Sequence, residues 1–187
     1  MKWLELNEPY FRRDIECYTD PLRVDKQFCL PTPFRDRVFS SALDDCSRAA
    51  RLRKGPNTRT QNMANLLAIR WIIKHDPTAW IWDERFHFRD IGEGSPMLMA
   101  QNKFVEMMGN VRFAKFKNIV SEMPLKRPSD GRPDIPTYSE RDKLWRFIEA
   151  KRRAKDTLNT DQELWLGNLA DFFGQGAAIE LRLKLSD

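Results

Sequence analysis

Asp134, Glu149 and Lys151 are the residues of this chain whose types and spacing could do chemistry. Pro133-Asp134 precedes a polar stretch rich in turn formers, and the apolar run at residues 144–148 ends in Glu149-Ala150-Lys151. A short apolar run bounded by turn signals predicts a buried strand. Side chains alternate along a strand, so Glu149 and Lys151 share one face while Ile148 and Ala150 take the other. If Asp134 lies on the neighbouring strand, the residues between form a hairpin turn and its carboxylate stands opposite Glu149. Two adjacent carboxylates repel, and both stay anionic only with a cation between them. Magnesium or manganese suits such a site, because these hard ions take carboxylate, carbonyl and water oxygens. The backbone carbonyl of Ala150, between the two functional side chains, is a natural further ligand. Lys151 is then placed to hold the ion's water or a scissile phosphate. Residues of these types in this order suit metal-dependent phosphodiester hydrolysis.

The elements that must position these residues follow directly. After Lys151 come the cations Arg152, Arg153 and Lys155, then Asn159-Thr160-Asp161-Gln162-Glu163, then Leu164, Trp165, Leu169, Phe172 and Phe173 at helical spacing. Thr160 with Glu163 reads as a capping box that starts a helix. Gly174-Gln175-Gly176 ends that helix, and residues 177–185 read as a closing strand.

The three-residue pattern resembles the PD-(D/E)xK nucleases, with Asp134, Glu149 and Lys151 at the signature positions. A strand ending in Glu-x-Lys, a basic loop, a helix entered through Gln162 and a final strand resemble, more narrowly, the virus-type replication-repair nuclease (VRR-NUC) branch. The likeness spans about residues 95–185, and its specific residues run from Gly131 to Gln162. The resemblance implies an α/β (α+β) restriction-endonuclease-like core, a mixed central sheet flanked by helices. It also implies an Mg2+ or Mn2+ cofactor and hydrolysis of DNA, on branched or structured substrates. Asp134, Glu149, Lys151 and Gln162 would be catalytic, Gln162 holding Lys151 or the phosphate, with Arg152, Arg153 and Lys155 gripping backbone phosphates. There is one departure. The family's core opens with a helix bearing a metal-binding Glu three residues before a Gln. If Gln101 is that Gln, Leu98 stands where the Glu belongs. Glu106, one turn later, or Glu93, before the helix, is left to supply the ligand.

The whole chain is 187 residues, one medium domain or two small ones. With 41% hydrophobic and 32% charged residues it reads as globular rather than disordered. A net charge of +5 is compatible with a polyanionic partner, and many soluble proteins share it. No apolar run is long enough to span a membrane, and the charged start MKWLELNEPYFRRD does not suit a signal peptide. An intracellular protein is expected, cytoplasmic or nucleoid-associated, or in the host cell if viral. Cys17, Cys29 and Cys46 lack C-x-x-C spacing, and His75 and His87 pair with none of them at ligand spacing, which argues against a zinc site and reads most simply as reduced packing cysteines.

Ile91-Gly92-Glu93-Gly94-Ser95-Pro96 reads as a linker between an α-helical region, 1–92, and the nuclease-like core, 93–187. In the first region Val38, Phe39, Ala42, Leu43, Cys46, Ala49 and Ala50 predict one helix. Ala64, Leu67, Ala68, Trp71 and Ile72 predict a second that stops before Asp76-Pro77. The loop between them carries Arg51, Arg53 and Lys54, which read either as phosphate contacts or as solvated cations at a helix end. Trp80, Trp82, Phe86 and Phe88 read first as core and second as a base-stacking surface. In the core, residues 97–108 predict a helix, and Val111, Phe113 and Phe116 a first strand, giving the order α-β-β-β-α-β. Two rivals stand beside the nuclease reading. One is a non-catalytic nucleic-acid-binding or protein-interaction module with a nuclease-like fold. The other is a structural protein whose Glu149 is salt-bridged to Lys151 or Arg152. Whether the active unit is a homodimer is open at this stage.

Overall fold

The computed structural model describes residues 11–17, 37–39, 65, 68–69, 71–82, 96–126, 131–152 and 156–185. The strand predicted to end in Glu149-Ala150-Lys151 is central. It runs Leu144–Arg152 (β5), pairs antiparallel with Ile135–Ser139 (β4) and parallel with Ala178–Leu185 (β6). The full sheet is mixed and six-stranded, in the order β1 (Phe11–Cys17), β6, β5, β4, β3 (Ala79–Trp82), β2 (Val38–Phe39). Parallel neighbours need a long crossover. A helix at Thr160–Phe173 (α3) supplies it between β5 and β6. The antiparallel β4–β5 pair closes through a tight turn in which Lys143 adopts φ 56°.

Both sheet faces are covered. Trp145, Phe147, Ala178 and Trp82 pack beneath three helices: Phe104 and Met108 of α1 (Pro96–Met108), Phe116 and Val120 of α2 (Asn110–Glu122), and Trp165, Leu166 and Leu169 of α3. Ile81, Ile135, Ile148, Ala150, Ile179 and Leu181 pack on the other face against Ala68, Ile69 and Ile72. A strand buried on both faces reads as a nearly continuous apolar run. Glu149 and Glu180 break that rule, each only 2% exposed on a central strand.

The architecture is α+β, a mixed sheet flanked by helices, and it departs from the sequence reading in three places. The strand expected through Val111, Phe113 and Phe116 is the helix α2. Its buried pair, Phe116 and Val120, is spaced four apart, and Val111 is 74% exposed. Over a window of six residues, strand alternation and a helical stripe overlap, and Gly109 at φ 80° breaks the chain between α1 and α2. From residue 96 onward the order is therefore α-α-β-β-α-β. Second, Val38 and Phe39 are strand rather than helix. They pair parallel with Ile81 and Trp82, so tertiary pairing overrides their helical spacing. Third, the region expected to be α-helical supplies β1, β2 and β3 to the sheet.

The second predicted helix is helical at residues 71–75 and closes at Asp76, whose amide reaches the Ile72 carbonyl at 2.8 Å. Trp82 is fully buried, 5.4 Å from Trp145, so it is core and offers no stacking surface. Phe86, Phe88 and His87 lie outside the described residues. Among the described residues no helix is long and apolar enough to cross a membrane.

Candidate active site

The β4–β5 register sets Ile135 opposite Ile148, which leaves Asp134 facing Glu149 just beyond the end of β4. The two acids are cross-linked through backbone. The Asp134 N–H donates to Glu149 Oε2 at 3.2 Å, and the Ala150 N–H donates to Asp134 Oδ2 at 3.0 Å. Lys151 lies on the same face as Glu149, its Nζ 2.9 Å from Glu149 Oε1. The carboxylate of Glu149 is 3% exposed and the Lys151 side chain 12%.

Gln162 ties this cluster to α3. Its Nε2 donates to Glu149 Oε1 at 2.5 Å, while its Oε1 accepts from Lys151 Nζ at 2.9 Å and from the Asn159 N–H at 3.1 Å. Asn159 Oδ1 in turn accepts from the Gln162 N–H at 2.9 Å. The capping box is thus Asn159 with Gln162, not Thr160 with Glu163. Both pairs fit the same spacing one residue apart, and the pair that also reaches the acids is the one formed. Helix initiation and site assembly use the same glutamine side chain.

Burial pushes Glu149 up to about 8, and the charge of Asp134 adds to that. Lys151 and the Asp134 N–H pull the other way without cancelling it. The groups here that could ligate a cation are all oxygen: the carboxylates of Asp134 and Glu149, and the carbonyl of Ala150. Along a strand the N–H and C=O of one residue point to the same edge. Because the Ala150 N–H meets Asp134, its carbonyl points to the same edge of β5. A hard divalent cation such as Mg2+ or Mn2+ fits this set, since Mg2+ commonly takes one or two carboxylates and fills its remaining positions with water and phosphate oxygen.

The other predicted residues separate. Glu106 does not join the cluster. The buried face of α1 runs through Phe104 and Met108, and Glu106 projects outward, 67% exposed and 2.7 Å from Lys103 Nζ. Among the described residues no group of three or more His, Cys, Asp or Glu side chains is assembled to hold a metal. Arg152 is the last residue of β5. Arg153, Lys155, Arg51, Arg53, Lys54 and Glu93 lie outside the described residues. A cavity of about 520 Å3 between the α1–α2 elbow and Phe172 lies at the opposite end of α3 from Gln162, about 15 Å along the helix, so it is not part of this site.

The sequence reading gave no role to two residues that shape the site. Gly131, at φ 71°, packs so closely on the first turn of α3 that a Cβ there would sit 2.6 Å from Asp161 Cβ and 2.7 Å from its carbonyl oxygen. That contact seats the loop leading to Asp134 against the helix carrying Gln162. The second is Glu180, buried on β6 opposite Glu149. The sequence carried no signal for its burial, because in AIELRLKL the charged residues Glu180, Arg182 and Lys184 alternate with apolar ones as on a solvated strand face. No known protein-family model matches the chain, and no curated protein sequence matches it.

Proposed function

We propose that the chain is an Mg2+- or Mn2+-dependent nuclease of the PD-(D/E)xK superfamily, with a restriction-endonuclease-like core, that hydrolyses DNA phosphodiester bonds. The observation that carries this reading is the meeting of Asp134, Glu149, Lys151 and Gln162, brought together from the loop before β4, from β5 and from α3 around the buried Glu149 carboxylate. The ion pair between Glu149 and Lys151 is also what a purely structural protein would have. A structural pair, however, has no need of a second carboxylate across the hairpin or of a glutamine joined to both members. Fully apolar replacements of such buried pairs are often neutral or stabilising, so stability alone gives weak reason for the cluster.

Asp134 and Glu149, with the Ala150 carbonyl, would hold the ion. When bound, it supplies a water of lowered pKa and neutralises charge developing at phosphorus. Lys151 donates to a phosphate oxygen, where its charge is worth most because the site is largely closed to solvent. Gln162 holds Lys151 and Glu149 at fixed separation, so neither must reorganise as substrate enters. DNA as substrate, and branched or structured DNA in particular, rests on the family likeness.

The test is cleavage of plasmid, branched and single-stranded DNA by the purified chain in Mg2+, Mn2+ and EDTA, beside Asp134→Asn. Metal-dependent cutting that Asp134→Asn abolishes supports the reading; wild-type cutting by a folded Asp134→Asn protein overturns it. The absence of a third acidic ligand among the described residues favours a second reading, a non-catalytic nucleic-acid-binding module. Calorimetric titration with Mn2+ separates the two, because a binding module has no reason to take up the ion.

A further inference from the structure

The hollow of about 520 Å3 at the elbow between α1 and α2 lies at the far end of α3 from Gln162. Gly109 makes the elbow at φ 80°, and a Cβ built on it would meet nothing within 4 Å, so the chain turns here without closing the space. The floor is apolar. Met108, Val111 and Phe172 line it, and Val111 is 74% exposed while Phe116 and Val120 carry the buried face of α2. Arg112 and Lys115 also line the hollow, three residues apart and so neighbours on the helix surface. Among the described residues no carboxylate lines it.

The two cations are positioned but not neutralised. The Arg112 guanidinium lies 4.7 Å from the centre of the Phe173 ring and 5.7 Å from that of Phe172. Ring contacts of this kind steady a guanidinium and leave its N–H groups for an acceptor. Neither Arg112 nor Lys115 has an ion-pair partner among the described residues. Like charges at that spacing repel, and an anion set between them relieves the repulsion. The start of α2 adds to the field, having no side-chain cap and no acidic residue in its first turn.

An apolar floor beside paired cations suits an apolar group with an anion next to it. A nucleic-acid strand would have to stack a base here, and Phe172 is a poor platform. Its ring already packs on Phe116 at 6.0 Å and Phe173 at 4.7 Å, besides meeting Arg112. Met, Phe and Arg are instead the types concentrated at protein interfaces, where an anchor side chain in a desolvated pocket supplies much of the affinity. We propose that the elbow hollow docks an acidic segment of a partner protein. The segment seats a large aliphatic or aromatic side chain against Met108, Val111 and Phe172 and sets a neighbouring carboxylate on Arg112 and Lys115. This surface is separate from the cluster at Glu149 and does not depend on the nuclease reading.

The experiment selects peptides from a displayed random library on the full chain. The enriched peptides are then measured by fluorescence anisotropy on the wild type, Arg112→Glu, Lys115→Glu and Val111→Asp, with a single-stranded oligonucleotide as competitor. Enriched peptides should place Asp or Glu beside Leu, Phe or Trp. Each substitution should weaken binding by about tenfold or more. Replacing the peptide's acids with Asn and Gln should do the same, and added salt should weaken binding further. Lys115 and Val111 are exposed, so those two variants keep the fold even if Arg112→Glu, which loses its ring contacts, does not. Failure to enrich any peptide, a consensus without acids, or wild-type affinity in the Lys115→Glu protein overturns the proposal. So does displacement of the peptides by the oligonucleotide at equal concentration, which would assign the hollow to nucleic acid. Cleavage enters none of these measurements, so failure of the nuclease reading leaves the outcome standing.

Discussion

The β4–β5 hairpin carries a charged cluster at each end, and the two obey opposite physics. At the strand end, Glu149 is paired with Lys151 at 2.9 Å, yet burial and Asp134 push it up to about 8. At the turn, hydrogen bonds from Arg141 and then Arg146 draw Asp142 down to about 2. Both ends set a carboxylate beside cations. What differs is water. Asp142 keeps its solvent and gains partners, whereas Glu149 has lost its solvent and gained a second negative charge. A cluster that is costly to maintain marks a site; a solvated one marks a well-made turn.

The largest effect expected from this contrast is that of Glu149→Gln. It keeps shape and most hydrogen bonding but removes the charge, so DNA cleavage in Mg2+ should drop by about a thousandfold or more, toward background. Wild-type rates from a folded Glu149→Gln protein would show that the chemistry lies elsewhere. Lys151→Ala should cost about a hundredfold in kcat, the usual loss for one electrostatic donor, while calorimetry still registers Mn2+ uptake. Loss of uptake in that variant would mean Lys151 shapes the acids rather than acting on substrate.

Stability against pH sharpens the contrast in EDTA. Glu149 is raised in the folded state, so its contribution is full below its ordinary 4.5 and is lost as pH rises through about 8. Urea midpoints should therefore fall across that window, and Glu149→Gln should flatten the fall. An unchanged pH profile in the variant would remove Glu149 as its source. Asp142 is lowered, so its contribution is present above 3.8 and is lost as pH falls through about 2, outside that window.

The hairpin end was legible in sequence because it depends on local facts: alternation along β5, a turn between two strands, and an acid on each. Gln162 was singled out only through the family resemblance; in the structure its side chain makes three hydrogen bonds. Glu180 and the strands β1 to β3 were not legible. They are fixed by pairing between residues far apart in the chain, such as Phe11 with Ile179 and Val38 with Ile81, which no local period records. The helix α2 was misread for the opposite reason, since a short window of Val111, Phe113 and Phe116 fits two periods at once.

Gly131→Ala tests how the site end is held. Its φ of 71° and the close approach to Asp161 together leave no room for a methyl group, so the loop must retreat from α3. A loss of about 1–3 kcal/mol in stability is expected. Activity should fall as well, by about tenfold, because Asp134 and Gln162 are moved apart. Lost stability with full activity would show that the loop and α3 need not be locked together for the acids to meet.

The smallest effect belongs to the turn. Asp142 bonds Arg141 at 2.9 Å and Arg146 at 3.0 Å, with Arg141 well exposed and Asp142 and Arg146 partly so. Asp142→Asn removes the charge but leaves an oxygen to accept, and the Asp142 N–H still reaches Ser139 Oγ at 3.1 Å. Exposed pairs of this kind are worth at most about 1 kcal/mol, and less in salt. A shift below that in urea midpoint, shrinking further in 0.5 M salt, with DNA cleavage unchanged, is the expected result. A loss of cleavage comparable to that of Lys151→Ala would mean that the two ends of the hairpin are coupled, and that burial alone does not separate the functional cluster from the structural one.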